Sequence, residues 1–272
     1  MSNFKSSCAS RLFGKFASKE FCPVLQNLIN KIYVKLMKVD LSECVSSENY
    51  SSLNALFTRS LRKTREFSSS EDEFISPCDA FISECGNISD DKALQIKGRS
   101  YSVGNLLGYY ILKKEKDRLA DGKYLNFYLS PKDYHRYHVP FDMRVKKVVH
   151  IPGKLYPVNF IWLNKISELF IENERVVLEC YTKDEKLFYM VFVGALNVGK
   201  MQFIFDHNIQ TNAKSSKEEF YMYDNLWLKK GDELGRFEMG STIVMFFEKD
   251  MVKLTCNKDK PIRFTDMVAK RI

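Results

Sequence analysis

No window of this sequence approaches the roughly eighteen consecutive apolar residues of a membrane-spanning helix. The opening stretch, MSNFKSSCASRLFGKFASKEF, has basic residues but no uninterrupted apolar run of the secretory kind. Neither a spanning helix nor export is expected, which leaves the chain on the cytoplasmic side. There is no CxxC pair: the seven cysteines, Cys8, Cys22, Cys44, Cys78, Cys85, Cys180 and Cys256, are odd in number and scattered. A disulfide framework or structural zinc site needs tighter, paired spacing, so they read as reduced thiols, mostly core filler. Neither GxGxxG after a strand nor GxxxxGK(S/T) occurs, so nucleotide binding has no motif support. No RNP-like or KH-like signature occurs either, and nucleic acid is not expected as a partner.

What is present is ordinary for a globular chain. The 272 residues suffice for one large domain or two modest ones, and 45% are hydrophobic. The formal charge of +8 is spread and mixed with acids, as in KKEKDR, which reads as a solvated surface and does not choose a partner.

The first sixty residues read as helical. Val24, Leu25, Leu28, Ile29, Ile32, Tyr33, Leu36 and Met37 recur at helical spacing after Pro23. A shorter amphipathic piece precedes them, with Leu12, Phe13, Phe16 and Phe21 among Arg11, Lys15 and Lys19. Basic residues beside an apolar stripe suit an interfacial membrane helix, and packing on the protein's own core is the alternative. For the first piece both readings stay open; the longer stripe is expected to pack on the core. A third helix is expected over Ser52 to Arg62, with Leu53, Leu56, Phe57 and Leu61 inward. After the polar linker EFSSSEDE come short runs with strand grammar: Phe74–Ile75, Tyr124–Leu129, Val145–Ile151, Arg175–Cys180, Leu187–Val193 and Ile243–Phe247. One helix is expected to interrupt them, Val103 to Leu119. The expected architecture is α+β: a helical N-terminal region over residues 1–65, membrane-associating, then a β-rich catalytic core over 66–272.

Three places could carry chemistry. LSPKDYHRYHVP puts His135 and His138, two of only four histidines, in a loop between a strand end and a proline. Histidine suits proton transfer near neutral pH, while a polar surface turn is the plain alternative. Metal ranks low, because convincing third and fourth ligands are missing. Asp79 in SPCDAFI follows a proline between apolar residues, as a paired buried carboxylate or as a turn aspartate. Gly240-Ser241-Thr242 sits at the mouth of the strand in GRFEMGSTIVMFF, where by itself it reads as a turn or bulge.

Together with FVGALNVG, these stretches resemble the phosphatidylserine decarboxylases, self-processing pyruvoyl enzymes, and are most similar to the short bacterial form. YVKLMKVDLSE, LNALFTRSLR, IKGRSYSVGNLL, VHIPGKLYPVN and NERV agree, in the family's order over nearly the whole chain. Two positions depart from the pattern: Ala80 where the family has glycine and Met239 where it has leucine. Neither change removes a reacting group.

The resemblance implies that Ser241 Oγ attacks the Gly240 carbonyl, giving an ester. Loss of the Ser241 Cα proton then releases Gly240 as a carboxyl terminus. The dehydroalanine left behind hydrolyses to a pyruvoyl group and ammonia. That covalent group is the only implied cofactor, with neither pyridoxal phosphate nor metal. His138 is similar in position to the family's base, Asp79 to the carboxylate that holds it, and His135 to the residue of the decarboxylation step.

Phosphatidylserine would join the pyruvoyl ketone as a Schiff base and leave as phosphatidylethanolamine. The products of cutting would be a β chain, 1–240, and an α chain, 241–272, held together as a heterodimer, with higher assembly left open. The expected location is peripheral, on an anionic membrane surface at the cytoplasmic face of the inner membrane. Two rivals remain: a pyruvoyl decarboxylase of another headgroup or a soluble amino acid, and a non-enzymatic basic module for membrane or RNA.

Overall fold

The computed structural model describes residues 14–96, 98–196, 200–209, 211, 217–238 and 241–272. Arg11, Leu12, Phe13, Met239 and Gly240 lie outside the described residues. The strands are β1 Glu73–Ile75, β2 Ala80–Asn87, β3 Lys92–Ile96, β4 Arg99–Ser102, β5 Lys123–Leu129, β6 Arg136–His138, β7 Met143–Ile151 and β8 Arg175–Tyr181. They continue with β9 Leu187–Val193, β10 Met201–Phe203, β11 Glu219–Leu228, β12 Glu233–Phe237, β13 Ser241–Phe247, β14 Val252–Leu254, β15 Lys260–Ile262 and β16 Met267–Arg271. The helices are α1 Pro23–Met37, α2 Leu53–Phe57, α3 Val103–Leu107, α4 Lys113–Asp117, α5 Phe160–Lys165 and α6 Leu169–Glu172. The expected β-rich core is present, with each expected strand inside or overlapping an observed one.

One sheet of eight strands, in the order β11-β7-β8-β9-β13-β5-β2-β15, organises the molecule, and its pairings are antiparallel. Its middle strands read as unbroken apolar runs because both faces are covered. Successive side chains point to opposite faces, and they separate into two cores. Ile243, Met245 and Phe247 of β13 join Phe188, Met190 and Phe192 of β9 on one side. Val244 and Phe246 join Tyr189, Val191 and Val193 on the other. Helices α3, α5 and α6 cover the second face through Leu106, Leu107, Leu163 and Phe170. The first face lies under the short strands, among them β6, β10 and β12, which form a three-stranded sheet of their own. β6 and β12 both carry residues of the candidate site.

Two helical expectations are corrected. The stretch from Val103 to Leu119 is not one helix but α3 and α4, broken where Gly108 adopts φ +81°. That left-handed backbone ends the helix, and the missing side chain leaves room for Ile151, whose Cδ1 is 2.3 Å from where a Cβ would sit. The third N-terminal helix is shorter than expected: α2 starts at Leu53, with Ser52 Oγ accepting from the Ala55 N–H, and ends at Phe57. Its Leu53, Leu56 and Phe57 are buried as expected.

The larger correction is in α1. Its apolar stripe splits: Ile29 and Tyr33 pack on the small core of Leu53, Leu56 and Phe57 as expected, while the rest of the stripe faces outward. Val24 is 83% exposed, Leu28 55%, Ile32 48% and Leu36 71%. Four residues apart, they share one outward face. Facing inward are Gln26 and Asn30, whose amides are satisfied: Gln26 Nε2 donates to Asn30 Oδ1, and Asn30 Nδ2 donates to the Ser47 and Tyr50 carbonyls, all at 2.9 Å. Periodicity reports which residues share a face; these amide bonds decide which way the face turns.

The turn before β5 is tied to β13. At Gly122 a Cβ would stand 2.1 Å from the Phe247 carbonyl oxygen and 2.9 Å from that of Leu119, both backbone atoms that cannot swing away. Gly122→Ala is therefore expected to cost at least about 1–3 kcal/mol, read as a lower urea midpoint at unchanged slope. An unchanged midpoint would mean the turn does not pack against β13 in solution.

Candidate active site

β5 ends at Leu129, directly opposite Ser241, the first residue of β13. Residues 130–135 leave the sheet at that point and lead into β6 of the three-stranded sheet. The loop is closed on itself: the Asp133 N–H donates to the Ser130 carbonyl at 2.9 Å, and the Ser130 N–H and Oγ–H donate to Asp133 Oδ2 at 2.7 Å. The N-terminal segment grips it from outside. Tyr33 Oη donates to the Pro131 carbonyl at 3.0 Å, and Arg59 Nη2 donates to the carbonyls of Lys132 at 2.8 Å and Asp133 at 3.0 Å. The Phe57 ring lies against His135 with centroids 3.9 Å apart.

Ser241 is fully buried, and among the described residues its Oγ has no hydrogen-bond partner. A buried hydroxyl left unpaired costs on the order of 1–3 kcal/mol, and native proteins keep few such groups. Thr242 Oγ1 and His135 Nε2 are in the same condition. His135 Nδ1–H donates to the Asp133 carbonyl at 2.8 Å, so the proton sits on Nδ1 and Nε2 is a bare lone pair. Burial, with Arg59 adding to it, lowers the His135 pKa to about 3.

His138 lies on β6 opposite Glu233 of β12. Its Nδ1–H donates to the Gly231 carbonyl at 3.0 Å, and its Nε2 accepts from the Tyr134 hydroxyl at 3.1 Å. The ring stacks on Phe264, centroids 3.7 Å apart. Burial lowers its pKa to about 4 against the pull of the Gly231 bond. Asp79 stands just before β2; its carboxylate takes Arg65 Nη1 and Nη2 at 2.5 and 3.0 Å and the Phe264 N–H at 2.8 Å. The His138 N–H donates to the Pro77 carbonyl at 2.8 Å.

The fold thus brings Asp79 and His138 together around Phe264, one bonded to its backbone and the other stacked on its ring. Among the described residues no hydrogen bond joins Asp79 to His138, and Ser241 Oγ bonds to neither histidine. Ala80, the departure beside Asp79, is a buried residue of β2. Sequence reasoning missed Tyr134, Arg65, Phe264, Phe57 and Arg59. Tyr134 had a signal, a polar aromatic four residues before His138 in a quoted motif. Phe264 had none, since it meets His138 only through tertiary packing.

A pyruvoyl group formed from Ser241 fits this environment. It takes the space of the serine side chain, and loss of a partnerless hydroxyl breaks no hydrogen bond.

The family model described as phosphatidylserine decarboxylase matches residues 53–270. The chain is 48% identical over 267 residues to a phosphatidylserine decarboxylase proenzyme of Helicobacter pylori strain Shi470, covering 97% of each. It is 46% identical to the proenzyme of Campylobacter jejuni, covering 96% of this chain and 97% of that one. Against the proenzyme of Marinobacter nauticus it is 36% identical, covering 92% and 87%.

The two histidines make a pH prediction. Their folded pKa values lie below the ordinary 6.5, so between 6.5 and about 4 the unfolded chain binds protons that the folded chain refuses. This source destabilises the fold as pH falls below 6.5, an effect that levels off below about 4 for His138 and about 3 for His135. Ring carbon shifts of labelled histidine should show both still neutral at pH 5. Titration of either near 6.5 would mean that water reaches the ring.

Proposed function

From the premise that this chain belongs to the phosphatidylserine decarboxylase family, we propose that it cuts itself at Gly240–Ser241 and then converts phosphatidylserine to phosphatidylethanolamine. The observation that carries the reading is the Ser241 hydroxyl: dry, unpaired and at the head of a strand held on both edges.

A nucleophile in that position has no competing hydrogen bond to break before it reaches the preceding carbonyl. Its attack on Gly240 replaces the peptide bond by an ester. Burial keeps water off that ester, which favours loss of the Ser241 Cα proton over simple hydrolysis. Gly240 departs as a carboxylate, and one water then converts the dehydroalanine to a pyruvoyl end with release of ammonia. When present, the pyruvoyl group supplies a ketone for the substrate amine and an electron sink for the departure of carbon dioxide.

His138 is the base in this reading: its depressed pKa keeps it neutral at pH 7, and Tyr134 must release Nε2 for it to act. Asp79 is a positioning residue, acting through Phe264 and through its charge near the ring. His135 serves the decarboxylation step: its bare Nε2 takes a proton from the substrate ammonium as the Schiff base forms and returns it to the substrate carbon after carbon dioxide leaves. One observation favours a second reading in which His135 takes the serine's proton. Its Nε2 is already bare, whereas both nitrogens of His138 are engaged.

Intact mass of the purified protein decides the main point. The expected result is two chains, 1–240 and 241–272, the smaller lacking one ammonia relative to a serine-headed peptide. One full-length species with activity would end the reading. Ser241→Ala should remain whole and inactive, and His138→Ala and Asp79→Ala should cut slowly or not at all. His135→Ala should cut normally yet lose at least about a hundredfold in decarboxylation. The reverse pattern between the histidines would exchange their roles.

The two pieces stay together without the peptide bond, because β13 pairs with β5 and β9, β15 with β2, and β16 with β1. The place of action is the cytoplasmic face of the inner membrane, peripherally. The exposed stripe of α1 supports this, with the basic Lys15 and Lys19 exposed ahead of it and Phe16 46% exposed between them. Serine at Leu28, Ile32 and Leu36 together should weaken binding to anionic vesicles by at least about tenfold, since each buried side chain contributes roughly 1.5–3 kcal/mol. That loss should persist in high salt, while charge reversal at Lys15 and Lys19 should matter only in low salt. Vesicle binding unchanged in both variants would place the lipid contact elsewhere.

A further inference from the structure

Three consecutive apolar side chains of α5 stand open to solvent: Phe160 is 39% exposed, Ile161 64% and Trp162 36%. The helix that carries them is held firmly. Its Leu163 is buried in the second core. Buried Gln95 of β3 donates through Nε2 to the Leu163 carbonyl at 2.9 Å and to the Ile166 carbonyl at 3.1 Å. A contiguous apolar patch on a fixed turn, edged by polar groups, marks a contact surface.

Its chemistry points to the kind of partner. The Trp162 ring stacks on Tyr156 with centroids 5.9 Å apart. Lys165 Nζ lies 6.0 Å from the Trp162 centroid and Lys154 Nζ 5.3 Å from that of Tyr156. Lys154 is shared with Glu172 at 2.6 Å, while among the described residues no carboxylate pairs with Lys165. Ile161 and Trp162 stand four and three residues before Lys165, so the three share one face. An aliphatic side chain beside an indole and an unpaired ammonium suits the boundary between acyl chains and anionic headgroups. Tryptophan rings settle there, and lysine stems lie on apolar surface with the charge in water.

The patch is also fastened to the reacting strand. Phe160 packs on Phe81 and Tyr128, with centroids 6.0 and 5.8 Å apart. Tyr128 pairs with Thr242, the neighbour of Ser241. Three residues beyond Tyr128, the Pro131 carbonyl accepts from Tyr33 of α1. Helices α5 and α1 therefore attach to the same end of β5, the end that meets Ser241. α5 does so on the second face of the sheet, and α1 on the loop that crosses toward the first. One amphipathic helix lying in an interface leaves the molecule free to roll about that helix; a second contact removes the freedom.

We propose that the Ile161–Trp162 turn of α5 is a second bilayer contact, inserted at the headgroup boundary, which together with α1 holds the Ser241 end of the sheet against the membrane. The purpose of the contact rests on the decarboxylase reading, whose substrate lies in a bilayer, but its existence is measured without catalysis.

Trp162 and Trp227 are the two tryptophans of the sequence, so Trp162 reports alone in a Trp227→Phe chain. Vesicles of phosphatidylglycerol and phosphatidylcholine should shift its emission to the blue, and lipids brominated on the upper acyl carbons should quench it. In the chain with both tryptophans, Ile161→Ser should weaken binding to the same vesicles by about tenfold or more. High salt should not remove that loss, and Ile161→Leu should bind as wild type does. Vesicle binding with Trp162 emission unchanged from water overturns the proposal and leaves α1 as the lipid contact. Absence of vesicle binding overturns it as well. So does a blue shift that needs no lipid and grows with protein concentration, which would make the turn a contact between copies of the chain. Carbon dioxide release from phosphatidylserine is scored separately: its absence, with Trp162 quenched by lipid, would count against the decarboxylase reading and not against this one.

Discussion

Seven consecutive buried residues, Ser241–Phe247, pair with β5 along one edge, and from Thr242 onward with β9 along the other, at the centre of an antiparallel sheet. Everything else at the site depends on that placement. A central strand has no edge to give up and no face open to water, so its first residue is fixed in register and kept dry. The register sets Leu129 opposite Ser241, and the chain that follows Leu129 carries His135 at the end of its loop and His138 on β6. Had the strand lain at an edge, the serine hydroxyl would have met water and would not have been left unpaired.

The site joins two kinds of support. From the eight-stranded sheet come Ser241 and the β5 end, and from the three-stranded sheet the β6–β12 pair that holds His138. From the N-terminal segment come Tyr33, Phe57 and Arg59, which hold the loop through its carbonyls and against the His135 ring. The same segment turns the apolar stripe of α1 outward. One stretch of chain therefore both shapes the candidate site and presents an apolar face, an economical arrangement for an enzyme whose substrate lies in a bilayer. Polar groups satisfied by backbone carbonyls, as at Asn30 and Arg175, are structural. The unpaired ones at Ser241 and His135 gather around the loop instead.

Much of this was legible beforehand. The strands announced themselves because a sheet covered on both faces demands uninterrupted apolar runs, and β8, β9 and β13 have them. Ser241, His135, His138 and Asp79 could be named because their motifs are short and local in sequence. The helix over Val103 to Leu119 was misread because helical spacing extends smoothly across Gly108, and the packing of Ile151 against that glycine lies far away in the chain. The orientation of α1 was misread for a related reason. Amphipathicity has no sign until something covers one face, and here a pair of amides bonded to Ser47 and Tyr50 carbonyls did so.

The sequence by itself determined the strand and helix alphabet and which side chains are candidates for the chemistry, because these follow from local patterning and side-chain type. Tertiary structure alone decided the state of those groups. It left Ser241 without a partner, engaged both nitrogens of His138, and tied Asp79 to Arg65 and to the Phe264 backbone. Each of these is a matter of which atoms meet across long stretches of chain and how little water remains between them. Burial and pairing set pKa and reactivity, and neither is written in the spacing of residues along a strand.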